Sequence, residues 1–154
     1  MADNLKGKMA IQLARHLNLL GIKYERNGEI FSVQTDDGDV FGTFLVVPKD
    51  FRVSFFSALS FEVMADKLEE MLLAVNSINA SAGLNGVRMY IDVNKTSNAV
   101  FCDQYLYCAG GNVPEHGVKN IISMFRNINA YYGDLLEKLN SGKFTLAEVI
   151  KQIR

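Results

Sequence analysis

Two blocks of extended, alternating sequence lie between stretches of helical period, and that order restricts the chain to helices packed on an antiparallel sheet. Residues 5–20 place Leu5, Met9, Ile11, Leu13, Leu17 and Leu20 at mixed three- and four-residue spacings, with Lys6, Lys8, Gln12 and Arg15 between them. This predicts an amphipathic helix that Gly21 can close. From Ile22 the pattern becomes extended, punctuated by Asn27-Gly28 and Asp36-Asp37-Gly38-Asp39, residues that tolerate the positive φ of hairpin turns. Lys23–Arg26, Glu29–Thr35 and Val40–Val47 therefore read as an antiparallel meander. Pro48-Lys49-Asp50 breaks it, and Phe51–Phe55 alternates as a further short strand. Ser60 precedes Phe61, Met64, Ala65, Leu68, Met71, Leu72, Val75 and Ile78, with Glu62, Asp66, Lys67, Glu69 and Glu70 on the other face, which predicts a second helix.

After the loop Ala80–Gly83, Val87, Met89, Ile91 and Val93 alternate with Arg88, Tyr90 and Asp92. Asn94–Asn98 can form the turn into a returning strand, Ala99–Cys108, in which Val100, Cys102, Gln104 and Leu106 oppose Phe101, Asp103, Tyr105 and Tyr107. Gly110-Gly111 ends this hairpin, and Pro114 suits the first turn of a long third helix. The buried stripe of that helix is Val118, Ile121, Ile122, Phe125, Ile128, Tyr132, Leu135, Leu136 and Leu139. Past Gly142, the capping box Thr145-x-x-Glu148 opens a short last helix with Leu146, Val149, Ile150 and Ile153 on its apolar side. The expected fold class is α+β, a single domain over residues 1–154. Its antiparallel sheet, a meander of about three strands plus a second hairpin, packs with three main helices in the order α-βββ-α-ββ-α, plus a short C-terminal helix.

A chain of 154 residues buries roughly 68–70% of its unfolded surface, so one core suffices without disulfides or a structural metal. Sixteen basic and 17 acidic residues leave a net charge of −1, which gives no field to attract nucleic acid or an acidic membrane. The first residues, Met1-Ala2-Asp3-Asn4, lack a basic region followed by an apolar run, and no stretch reaches the ~18 uninterrupted apolar residues of a spanning helix. A cytoplasmic setting is expected, with no membrane or nucleic-acid partner. Cys102 and Cys108, six positions apart in one strand, lie ~20 Å apart at ~3.4 Å per residue and cannot bridge each other. They read as reduced small hydrophobes, with an intersubunit disulfide or a reactive thiol as the alternatives.

Catalytic and ligand-binding signatures are incomplete. His16 on the polar side of the first helix and His116 near the start of the third have no metal-ligand spacing to another His, Cys or paired carboxylate, and read as surface residues. Gly110-Gly111 before a helix could present amides to a phosphate, but without Gly-x-Gly-x-x-Gly or a Walker lysine it reads as a turn. Asp36, Asp37 and Asp39 lack the distal glutamate of a calcium loop, and Glu62, Asp66, Glu69 and Glu70 read as a solvated helix face. No catalytic residue, cofactor site or metal site is expected.

The unusual feature is aromatic. Tyr90, Phe101, Tyr105 and Tyr107 can share one face of the second hairpin with Arg88, Asp92 and Asp103. With helices on the other face, this one is open unless a protein partner, the chain's own helices or a small ligand covers it.

Leu72-Leu73-Ala74-Val75-Asn76-Ser77-Ile78-Asn79 resembles the end of the central helix of the YbjN-like family and of the wider type III secretion chaperone-like fold. Val87–Val93 with Ala99–Leu106 resembles the hairpin that follows, and the helix containing Phe125 and Tyr132 the last core helix. The match is best from Leu68 to Leu139, about half the chain, while the first three strands agree in order and the Thr145–Arg154 helix stands as an addition. The resemblance implies a non-enzymatic binder of other polypeptides, chaperone-like or regulatory and dimeric, and carries no functional residue with it.

The sequence thus leads to a protein-binding homodimer using the second hairpin and its adjacent helix. The expected interface residues are Arg88, Tyr90, Asp92, Phe101, Asp103, Tyr105 and Tyr107. A small-molecule sensor with a pocket between sheet and helices is the alternative.

Overall fold

The structure, a computed structural model, describes residues 2–93 and 98–153. Its sheet has six strands in the order β1-β2-β3-β4-β6-β5. They are β1 (Tyr24–Asn27), β2 (Ile30–Gln34), β3 (Val40–Val47), β4 (Arg52–Glu62), β5 (Arg88–Ile91) and β6 (Ala99–Tyr107). The helices are α1 (Ala2–Leu19), α2 (Leu68–Ala80), α3 (Glu115–Ile128), α4 (Asp134–Asn140) and α5 (Leu146–Gln152). The chain is α+β with an antiparallel sheet, as its periodicities predict, but with one more full strand. The turn expected at Asn94–Asn98 falls largely outside the described residues.

Contacts divide the chain into two compact units, Met1–Ser57 with Asp103–Ser123, and Ala58–Cys102 with Met124–Arg154. In the first, register pairs Phe31 with Phe44 and Phe44 with Phe55, so three aromatic side chains form one row. They are fully buried, as are Met9, Leu13 and Leu17, spaced four apart on α1. Each such side chain contributes about 1.5–3 kcal/mol through removal from water. Ile11, which the spacing places on the apolar side, lies off this stripe and is exposed. Gly42 is required where it stands, because a Cβ there would lie 2.3 Å from the Phe55 ring.

The second unit corrects the start of the second helix. Ser60, Phe61 and Glu62 belong to β4. From Phe55 to Ser60 inward residues alternate strictly with exposed ones, and the ladder to the neighbouring strand runs on until Val63 N–H reaches the Asn98 carbonyl at 2.7 Å. Sheet pairing overrides a helical spacing that Phe61, Met64 and Ala65 satisfy by coincidence. α2 begins only at Leu68 and buries Met71, Ala74, Val75 and Ile78. It packs against β5, α4 and α5, and Val149 of α5 is fully buried.

All nine residues of the predicted third-helix stripe are buried, but the helix is not continuous: a π-helical segment, Asn129–Gly133, joins α3 to α4. Tyr131 of that segment donates its hydroxyl to the Gln152 carbonyl, tying down the end of α5. The Thr145–Glu148 capping box is present. Hydrogen bonds from the Thr145 backbone and side chain hold the Glu148 carboxyl below the usual carboxylate range, so this cap operates at neutral pH and is lost as acid protonates Glu148.

Asn140 finishes the far end of β4. Its Oδ1 accepts from Met64 N–H at 2.8 Å, and its Nδ2 donates to the Glu62 carbonyl at 2.8 Å. The residue is buried, so Asn140→Ala strands two backbone groups away from water. The expected loss is about 1–3 kcal/mol in urea unfolding. An unchanged midpoint contradicts the role assigned to Asn140.

Candidate functional site

One face of the first unit's sheet is covered by α1; the other carries exposed apolar side chains. Register places Ile30, Leu45 and Ser54 in one row, Ser32, Thr43 and Phe56 in the next, and Val47 beside Arg52. Cys108 N–H donates to the Phe51 carbonyl at 2.6 Å, an antiparallel bond that sets Arg52 opposite Tyr107. The Arg52 guanidinium lies 4.5 Å over the Tyr105 ring, a diagonal cation–π contact that fixes both on this face. Asp50 stands 3.6 Å from Arg52 and orients it further. Tyr107 is 70% exposed and Tyr105 53%, and Ile30 and Phe56 are also exposed. An extended aromatic and aliphatic surface centred on a fixed cation is an arrangement enriched at protein interfaces.

The remaining expected residues divide into two groups. In the second unit, Tyr90 and Phe101 stack at 5.6 Å between ring centroids, with the Arg88 guanidinium 5.1 Å over Tyr90. Arg88 is exposed, while Tyr90, Asp92 and Phe101 are half-buried. Asp103, in the first unit, is buried and presents little surface. The chain's own packing therefore covers part of the aromatic hairpin face and leaves Tyr105 and Tyr107 outermost. Arg52, Phe56, Leu45 and Ile30 join Tyr105 only through strand register, which sequence spacing does not reveal. The true length of β4 would have placed Phe56 outward.

The two sheet edges differ. At β5, the Asn79 amide closes on one residue of the edge: Nδ2 donates to the Met89 carbonyl at 2.7 Å, and Oδ1 accepts from Met89 N–H at 3.0 Å. At β1, Gln34 N–H donates to the Lys23 carbonyl, which makes Lys23–Gln34 a bonded pair. Alternation then turns Glu25 and Asn27 toward β2 and leaves the backbone groups of Tyr24 and Arg26 facing outward. β1 is a pairing template, whereas β5 is capped.

His16 is not the surface residue its position suggests. One turn apart on α1, Gln12 and His16 clamp the loop that follows β6. Gln12 Nε2 donates to the Gly111 carbonyl and Oε1 accepts from Val113 N–H, both at 3.0 Å, and His16 Nε2 lies 2.7 Å from the Val113 carbonyl. His16 Nδ1 is buried, 4.0 Å from Glu115 Oε2. Gly111 meets this clamp at φ +77°, where a Cβ would strike Leu5 at 2.3 Å. Gly111 and Asn112 N–H groups are spent inside the turn, which leaves no phosphate cradle in them. His116 is exposed, as expected.

Cys102 and Cys108 are buried, and burial pushes the Cys108 thiol up despite a hydrogen bond with the Val53 backbone. Both therefore pack as hydrophobes. Among the described residues no group of three or more His, Cys, Asp or Glu side chains could hold a metal ion, and no helix is long and apolar enough to cross a membrane.

No family model matches the chain, and no curated protein matches it by sequence. Solved structures do. YbjN from E. coli superposes with a TM-score of 0.56 at 18% identity, over 79% of this chain and 92% of YbjN. The ExsC–ExsE complex matches with a TM-score of 0.61 at 16% identity, over 85% of this chain and 95% of the matched chain. The Yersinia pestis type III secretion chaperone SycH, in complex with a stable fragment of YscM2, matches at 0.51 and 12% identity, over 85% and 98%. The chain therefore has the fold of YbjN and of the type III secretion chaperones, in line with the resemblance drawn from its second helix and hairpin.

If Asn79 caps the β5 edge, Asn79→Ala should raise hydrogen exchange at the Met89 amide at least about fivefold, the effect of losing a bond worth ~1 kcal/mol or more. Unchanged exchange there contradicts the cap.

Proposed function

We propose that residues 1–154 form one non-enzymatic, chaperone-like or regulatory domain that binds an extended polypeptide and works as a homodimer. The observation that carries this reading is the open face of Ile30, Leu45, Phe56, Arg52, Tyr105 and Tyr107 beside an unpaired β1 edge. Main-chain bonding at an edge supplies affinity without sequence demand, while side chains entering an adjoining apolar surface supply selectivity. The capped β5 edge directs such pairing to β1. Structures of the same fold support the reading, since SycH is seen with a polypeptide fragment and ExsC with ExsE.

β4 and β6 both run across the division between the two compact units, which supports a single domain. The Arg88, Tyr90 and Phe101 stack is assigned to the contact with a second copy, and Tyr105 and Tyr107 to the bound polypeptide. Half-buried aromatic residues with an arginine are the usual anchors of such contacts.

Affinity capture from the source lysate, run beside sedimentation, tests both assignments. Tyr105→Asp with Tyr107→Asp should abolish recovery of the bound polypeptide while leaving mass and urea midpoint unchanged. Tyr90→Asp should halve the sedimenting mass. Arg26→Pro, which removes an outward N–H from an edge strand, should weaken capture without disturbing the β1–β2 ladder. Undiminished capture by the double variant removes this face, and a wild-type chain that stays monomeric at all concentrations removes the dimer.

A further inference from the structure

At the corner where β3 outruns β2, the last ladder bond on that side runs from Val46 N–H to the Glu29 carbonyl at 3.0 Å. Val47 then leads into the tight turn Pro48–Asp50, so a gap opens beside the end of the β1–β2 hairpin. α1 passes this corner with Lys6, whose Nζ lies 2.7 Å from Glu29 Oε1. The result is an open depression of about 380 Å³ lined by Lys6, Glu29, Leu45, Val46, Val47, Pro48 and Lys49. That volume falls within the range of small-molecule sites, at its lower end.

The lining has a definite charge balance. Two lysines and one glutamate are among the lining residues, and Glu29 is already engaged by Lys6. Lys49 is exposed and has no acidic partner among the described residues. The depression thus carries one surplus positive charge above a floor of aliphatic side chains. An apolar body with a single negative charge complements it, whereas a cation or a polyanion does not.

We infer that this corner binds a small monoanionic amphiphile, an acyl or aryl carboxylate. Its carboxylate pairs with Lys49 at the rim, and its apolar body lies on Leu45, Val47 and Pro48. Lys6 adds to the positive rim while remaining paired with Glu29. The site adjoins the proposed polypeptide-binding face and shares Leu45 with it. It uses neither Tyr105 nor Tyr107, so failure of decanoate binding and failure of polypeptide capture by the tyrosine variants are separate outcomes.

Titration of the isotopically labelled full chain with sodium decanoate, followed by amide chemical shifts, tests the inference. Saturable shifts are expected at Glu29 and at residues 45–49, with smaller shifts from decanol and none from decylammonium. Lys49→Glu should weaken decanoate binding about three- to tenfold, as expected for reversing one exposed charge. Lys49→Arg should retain it, and neither variant should move the urea midpoint. Shifts that are absent or lie elsewhere, equal binding of decanol, or wild-type affinity in Lys49→Glu each overturn the assignment.

Discussion

The ladder along β4 holds the most of this structure in place. β3 pairs on one side, with Phe44 opposite Phe55 and Val46 opposite Val53. β6 runs antiparallel on the other, bonded at Phe51–Cys108 near one end and Val63–Asn98 near the other. Between those bonds β4 takes twelve steps and β6 ten, so β4 carries two extra residues, an even number that keeps its faces in phase. Because side chains on a strand alternate faces, this pairing settles what the core receives and what solvent meets. Val53, Phe55 and Leu59 go inward, and Arg52 and Phe56 go outward. A one-residue slip would bury Arg52 and expose the Phe55 ring that lies over Gly42. The open apolar face is therefore a consequence of the same pairing that fills the core.

Where the ladders end, polar side chains complete the backbone bonding. Asn140 takes the last groups of β4, Asn79 closes on Met89, and Gln12 with His16 holds the loop after β6. Buried or edge backbone groups need partners, and an amide side chain offers a donor and an acceptor at the spacing of a peptide. Such residues decide which edge stays available for pairing. At β5 that decision rests on one asparagine, and among the described residues β1 has no comparable cap.

Much of the fold was legible because its amphipathic faces are clean. Every residue of the third-helix stripe from Val118 to Leu139 is buried, the meander falls within a residue or two of its turns, and the Thr145 capping box forms. The second half of β4 was not legible, since Phe61, Met64 and Ala65 fit a helix locally and only pairing with β6 decides otherwise. The π segment at Asn129–Gly133 leaves the buried stripe in phase and has no signature of its own. At the candidate surface, Tyr105 and Tyr107 stood out as exposed aromatic residues of a hairpin. Asp103 did not behave as its alternation suggests, and Arg52, Phe56 and Ile30 became neighbours of the tyrosines only once strand order was known. His16 and Gln12 are likewise set by a contact with residues about 100 positions away.

On the proposed reading, the exposed sheet face of the first unit is the working surface. Hydroxyl-radical footprinting of the free chain and of the chain saturated with its captured polypeptide tests that most directly, because it reads side-chain exposure residue by residue. Oxidation of Phe56, Tyr105 and Tyr107 should fall on binding, while Leu73 of α2 and Ile150 of α5, both exposed in the free chain, keep their reactivity. Protection of Leu73 and Ile150 with Phe56, Tyr105 and Tyr107 unchanged would contradict it.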